Sequence, residues 1–205
     1  MHIQKTTAST NKCRLRICHS LRQKEYVDWK HSVLLNPFCK ETKSPYVANR
    51  RPTTPEYMFY TSYRDEFLPY HTAWYQRRGL GLRTTKIVPA NIKHLLVDPI
   101  ALAVWYLDDG TKRGGYNACR FATQSWVGLR PPHPSFSLEE NELLALCLEE
   151  NFALVATIET WRSTRSSKKT YGLCLPSRDG NFSCFKDIIY PFVEAEIPSM
   201  LYKLK

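Results

Sequence analysis

Two adjacent carboxylates, Asp108 and Asp109, followed by Gly110, stand at the end of a long apolar run, DPIALAVWYLDDGTKR. Residues 100–107 are apolar around nearly the whole circumference of a helix, the pattern of one buried by neighbours on all sides. Asp98 suits its N-cap and Pro99 its first helical position. Gly110 can take the left-handed conformation that ends a helix. Carboxylates at a helix C-terminus are poorly placed, because the macrodipole puts partial negative charge there as well. A divalent cation offsets that conflict, so the arrangement makes chemical sense as a metal site for hydrolysis. Taken alone, Asp-Asp-Gly is more simply a solvated turn after a buried helix, and the surrounding chain has to decide.

The chain has 205 residues, a net charge of +10 from 29 Lys and Arg against 19 Asp and Glu, and 13% aromatic residues. That length allows one compact domain or two small fused halves. The basic balance points to a polyanionic partner, with nucleic acid ahead of a membrane surface. The seven cysteines, at 13, 18, 39, 119, 147, 174 and 184, contain no CxxC pair. Neither a disulfide framework nor a structural zinc site follows, and Cys147 in LLALCLEE reads as a small reduced core side chain. No apolar run approaches a membrane span, and residues 1–10 lack the centre of a secretory signal.

Two stretches of similar order flank the apolar run. In the first, CRLRICHS alternates Arg14 and Arg16 with Leu15 and Ile17, the period of a strand with one cationic face. QKEYVDWKHSVLL places Tyr26, Trp29, Lys30, Val33 and Leu34 at core-facing helical spacing. Residues 38–55 read as an irregular basic segment, YMFYTS (57–62) as a strand, 67–76 as a short helix, and 77–89 as a connection. In the second, ACRFATQ (118–124) is strand-like, and Ser137 opens a helix with Glu140 placed to close a capping box. Residues 154–162 and 170–175 read as strands joined by the basic tip STRSSKK, and 182–193 as a closing helix. The shared order predicts a repeated strand, helix, strands, helix unit.

With these elements around it, LAVWYLDDG (102–110) resembles the LAGLIDADG signature. Leu102 and Ala103 match its opening, Asp109 its essential acid and Gly110 its final glycine, while Val104 replaces the internal glycine. RLRICHS with QKEYVDWK, TTKIVPANI before the motif, FATQSW after it and MLYKL near the end resemble, in order, landmarks of the two-motif branch of the LAGLIDADG homing endonucleases. The resemblance implies an α+β fold: a pseudo-twofold pair of αββαββα-type halves, 1–97 and 98–205, whose antiparallel sheets form a saddle over double-stranded DNA. It implies that Asp109, with Gly110, holds Mg²⁺, and that Lys86 and Lys203 stand near the scissile phosphates as catalytic residues. Base-reading candidates on the strands are Arg14, Arg16, Arg120, Gln124, Arg162 and Tyr171. Arg50, Arg51, Arg83, Arg165, Lys168 and Lys169 suit phosphate contacts.

The two-motif branch begins with a first motif helix, and this chain opens where the residues after that helix would lie. The expectation is that the first helix and its acid are missing, through an upstream start or truncation. The 205-residue chain would then bind DNA weakly, cut poorly and self-associate through the uncovered apolar face. The runner-up function is a group I intron RNA maturase, and a catalytically inactive derivative is a third. The product is expected to be neither secreted nor membrane-bound, working in a chloroplast or mitochondrion if organelle-encoded and otherwise in bacterial cytoplasm.

Overall fold

The computed structural model describes residues 2–5, 12–35, 44–49, 54–78, 83–123, 136–162 and 169–205. In chain order the elements are β1 (His2–Lys5), β2 (Cys13–Ser20), α1 (Lys24–Leu35), β3 (Tyr46–Ala48), β4 (Glu56–Tyr60), α2 (Leu68–Trp74), β5 (Tyr75–Arg78) and β6 (Arg83–Lys86). They continue with α3 (Ile92–Leu95), α4 (Pro99–Asp109), β7 (Gly110–Lys112), β8 (Cys119–Phe121), α5 (Leu138–Phe152), β9 (Thr157–Arg162), β10 (Lys169–Leu175) and α6 (Asn181–Glu196). The chain divides into two compact units, residues 1–72 with 194–201 and residues 73–193 with 202–205. The mixture of helices and wholly antiparallel sheets is α+β, as expected from the sequence.

In the first unit a four-stranded sheet runs β1-β2-β4-β3. Alternation along β2 buries Cys13, Leu15 and Ile17 and leaves Arg14 and Arg16 half-exposed on the other face. The buried face packs on α1, where Ile17, Val27, Tyr57 and Phe59 form a core cluster with Leu21 against it. Tyr26, Val27 and Lys30 are the inward positions of α1, whereas Val33 is 47% exposed, contrary to the helical-spacing expectation. The buried Lys30 has its Nζ 4.1 Å from the centroid of the Tyr26 ring and 3.2 Å from His19 Nε2. Tyr57 donates its hydroxyl proton to Asp28 Oδ1 at 2.9 Å, joining α1 to β4.

The second unit repeats the strand order in its own four-stranded sheet, β7-β8-β10-β9. Its core is aromatic: Phe121 of β8 meets Trp105 and Tyr106 of α4 at 4.3 and 5.7 Å, and Phe185 of α6 meets Tyr106 at 4.8 Å. The two contacts of Tyr106 are edge-to-face, and aromatic pairs of that kind add about 0.5–1.5 kcal/mol each beyond the area they bury. The capping box of α5 forms as expected, with Glu140 N–H donating to Ser137 Oγ and Ser137 N–H to Glu140 Oε2. The other carboxylate oxygen, Glu140 Oε1, accepts from Val88 N at 3.2 Å, so the cap also ties down the segment after β6. Ser137→Ala is expected to lower unfolding stability by about 1 kcal/mol, read as a lower urea midpoint at unchanged slope.

Two features depart from the sequence reading. The stretch taken as a plain connection, 77–89, carries a β5–β6 hairpin in which Tyr75 pairs with Lys86. Strands β1, β3 and β7, too short to show periodicity, complete the sheets. Among the described residues helix α4 keeps a partly open apolar side, in line with the expected uncovered face: Leu102, Ala103, Tyr106 and Leu107 are buried, Val104 and Trp105 half-buried, and Ile100 is 44% exposed. Among the described residues no helix is long and apolar enough to cross a membrane.

Candidate active site

The start of α4 is built as its residues dictate, with Asp98 Oδ1 accepting from Ile100 N at 2.7 Å and Pro99 inside the first turn. Its end delivers Asp109. A helix terminus leaves carbonyls without intrahelical donors, and here several are met individually. Gly110 N–H donates to the Tyr106 carbonyl. Ala122 N–H donates to the Asp109 carbonyl at 2.8 Å, fastening the helix end to β8. Lys203 Nζ donates to the carbonyls of Leu107 and Gly110 at 2.7 and 3.0 Å. A cation at that end also opposes the partial negative charge of the helix dipole.

Gly110 does not take the left-handed conformation expected of it. Its φ of −91° and ψ of 154° are extended and open to any residue. What requires glycine is space, because a Cβ would overlap the Tyr106 ring and come within 2.5 Å of the Tyr106 carbonyl oxygen. Tyr106 is fully buried and donates its hydroxyl proton to the Lys203 carbonyl at 2.7 Å. The acid, the glycine, the tyrosine and the lysine thus form one interlocked corner.

Asp109 keeps an exposed edge while protein crowds its carboxylate from the other side. Burial pushes its carboxyl above the ordinary aspartate range, the Lys86 ammonium pulls it back, Asp108 pushes it further up and Lys203 pulls it down. Lys86 is exposed on β6, with Nζ 5.8 Å from the centroid of the Trp74 ring. Its strand is held by Ile87 N–H donating to the Trp74 carbonyl at 2.8 Å. Positions 86, 109 and 203, far apart in sequence, therefore meet electrostatically. Next to them the turn Gly110–Gly115 and residues Tyr202, Lys203 and Lys205 frame an open groove of about 500 Å³, edged by Lys112 and Arg113.

One protein carboxylate and one carbonyl is a sparse donor set. Among the described residues no cluster of three or more His, Cys, Asp or Glu gathers to hold a metal. Magnesium, however, commonly takes one or two carboxylates and completes its octahedron with water and phosphate oxygens. Asp109 fits that role, and the Gly110 carbonyl, which accepts from Lys203 at 3.0 Å, has a second lone pair for an ion.

The other predicted residues fall in different places. Arg14 and Arg16 lie on the open face of the first sheet. The Arg14 guanidinium stands 4.3 and 4.8 Å over the rings of Tyr60 and Tyr63, and its Nε donates to Gln4 Oε1 at 3.0 Å. Arg120 lies on the open face of the second sheet, and Lys169 is exposed at the start of β10. Tyr171 shares its strand face with buried Leu173 and Leu175, so alternation puts it on the helix side and not on the open face. Arg83 and Arg162 are at the ends of β6 and β9. Arg50, Arg51, Gln124, Arg165 and Lys168, with most of the STRSSKK tip, lie outside the described residues. Sequence reasoning passed over Tyr106, Arg113 and Glu159. The last had one signal, a carboxylate inside a strand of a strongly basic chain.

A helix that ends in a carboxylate, packed on an antiparallel sheet with arginines on its open face, makes this an α+β protein with a cationic sheet face. The chain belongs to the LAGLIDADG DNA endonuclease family, whose profile matches residues 1–178. It is 25% identical over 183 residues to the cytochrome b mRNA maturase bI2 of Saccharomyces cerevisiae, covering 87% of this chain. The chain spans 38% of that relative's length. Its fold is shared with the homing endonuclease I-WcaI, solved bound to its DNA recognition sequence. The TM-score is 0.74 at 18% identity, covering 100% of this chain and 80% of that one.

Proposed function

We propose that the chain acts as a sequence-specific double-strand DNA homing endonuclease that hydrolyses phosphodiester bonds with a divalent metal, Mg²⁺ above others. The observation that carries this reading is Asp109 at the end of α4, a helix end fixed by Lys203 through the Leu107 and Gly110 carbonyls at 2.7 and 3.0 Å. Bound at Asp109, Mg²⁺ would supply an acidified water and screen the charge of the phosphate. Asp109 orients the ion at the helix end. Lys86, exposed on its tethered strand, places positive charge where the phosphate anion develops. Lys203 holds the helix terminus through two carbonyls and so sets the position of Asp109.

Among the described residues the one carboxylate whose charge acts on Asp109 is Asp108, on the same helix. A two-acid centre therefore draws its second acid from another motif helix. The half-open side of α4, with Ile100, Ala101 and Val104, is apolar enough to receive one. Self-association through that side would provide it. Arg14, Arg16 and Arg120 read bases, and Lys169, Arg83 and Arg162 add contacts along the strands. Phosphate contacts are proposed for Arg50, Arg51, Arg165 and Lys168, and base reading for Gln124, on their residue types. In this reading each sequence half, 1–97 and 98–205, uses its own four-stranded sheet for DNA contacts. The work is done in the compartment where the gene is expressed, organelle or bacterial cytoplasm.

A second reading, group I intron maturase, rests on the likeness to the maturase bI2. Both are tested by incubating the purified protein with a randomised duplex pool and with structured group I intron RNA. Discrete duplex products in Mg²⁺, lost in EDTA while the protein–DNA complex survives, are expected. Tight RNA binding with no duplex cleavage would transfer the assignment to the maturase.

A further inference from the structure

The open face of the second sheet carries a carboxylate among its arginines. Arg120 of β8 pairs in register with Cys174 of β10, and Gly172, two residues earlier, pairs with Glu159 of β9. Register partners project to one side and alternate residues return to it, so Arg120 and Glu159 share the face opposite Phe121 and Leu173. Glu159 Oε1 accepts from Arg113 Nη1 at 3.1 Å, and Oε2 lies 2.7 Å from Arg120 Nε. The three side chains are 25%, 38% and 33% exposed in the order Glu159, Arg113, Arg120, so all remain accessible to a ligand. Arg113 is also held against Cys174 Sγ at 3.9 Å and stands 5.8 Å from the centroid of the Tyr116 ring. It follows β7 just before a turn through Gly114 and Gly115, the latter at φ +76°.

Each oxygen of one carboxylate thus meets a different guanidinium from a different part of the chain, Arg113 by a hydrogen bond and Arg120 by an ion pair whose Nε is buried and makes no hydrogen bond. A negative charge on a face that meets a polyanion weakens binding to every sequence alike. The same charge removes rotational freedom from two long side chains before the ligand arrives. A guanidinium presents five N–H donors, so one can hold a carboxylate and still address an acceptor pair such as guanine O6 and N7.

We propose that Glu159 is a specificity-setting residue that orients Arg113 and Arg120 as a rigid pair addressing guanine in one short step of a DNA major groove. The proposal rests on the nucleic-acid-binding reading above. Glu159 lowers affinity for DNA at large and raises discrimination at that step.

The test is selection of binding sites from a randomised duplex pool, with cleavage suppressed by EDTA, for wild type, Glu159→Gln and Arg113→Gln. The wild-type profile is expected to demand guanine at one or two neighbouring positions. Glu159→Gln should lose about tenfold of that preference, the value of one good bidentate contact. The rest of the profile should stay, and unselected duplex should bind severalfold more tightly. Arg113→Gln should lose the same preference while binding unselected duplex more weakly, and it decides alone if Glu159→Gln does not fold by circular dichroism. A Glu159→Gln profile identical to wild type, or a loss spread evenly over the site as a general structural defect would give, overturns the proposal and leaves the endonuclease reading standing. A wild-type protein that enriches no duplex sequence overturns both.

Discussion

Asp109→Asn is expected to abolish metal-dependent cleavage, by about two to three orders of magnitude, while the protein stays folded and bound to DNA. The substitution preserves shape and removes the charge that a cation needs. Its effect on stability has the opposite sign. Burial holds the Asp109 carboxyl above its ordinary value, with Asp108 adding to the rise against the pull of Lys86 and Lys203. A carboxyl raised in the folded state binds its proton more readily there than in the unfolded chain. Its contribution is therefore favourable at low pH and is lost as pH rises through the raised value. Asparagine has no such loss and no quarrel with the helix dipole. In chelator at neutral pH the variant should melt at or above the wild-type temperature, and the gap should close below the ordinary aspartate range. Single-turnover cleavage and melting curves at both pH values check the pair of effects. An asparagine variant that cuts at the wild-type rate removes Asp109 from the mechanism.

Gly110→Ala is expected to destabilise the fold by about 3 kcal/mol, the upper part of the range for overpacking. The backbone at φ −91° accepts alanine without strain, so the whole effect is steric. The new methyl would collide with the Tyr106 ring, which cannot retreat, because Phe121 and Phe185 pack edge-to-face against it and its hydroxyl is bonded to the Lys203 carbonyl. Displacing the ring shifts both the lysine and the end of α4, so the acid moves with them. Chemical denaturation should show a lower midpoint at unchanged slope. Tyr106→Leu in the same chain should return part of the loss, a coupling that a double-mutant cycle reads directly. Full stability of the single variant would mean that the close approach at Gly110 carries no weight.

Much of the helical framework was legible because its signals are local. Asp98-Pro99 opens α4 and Ser137 with Glu140 opens α5, each through bonds spanning at most three residues. The eight-residue alternation of CRLRICHS marked β2 to the residue. Strands of three or four residues, such as β3 and β7, have no period to read and exist only because a neighbour pairs with them. The same holds for β5 and β6, which sit where glycine and arginine read as a connection.

For the site, the resemblance of the motif and its flanking landmarks pointed to the acid and both lysines, since these lie within short runs of chain. Their relations were another matter. Residue order cannot say that Lys203 caps the helix that ends in Asp109, across a separation of nearly a hundred residues. Nor can it say that Gly110 is there for the ring of Tyr106, or that Glu159 links two arginines on its open sheet face. An acid at a helix end, a basic chain and alternating strands are properties of neighbours in sequence, and composition with spacing sufficed for them. Which face a helix leaves open, which cation answers which carbonyl, and how far burial raises a carboxyl depend on long-range packing. Only the folded chain brings those groups within the few ångströms over which such forces act.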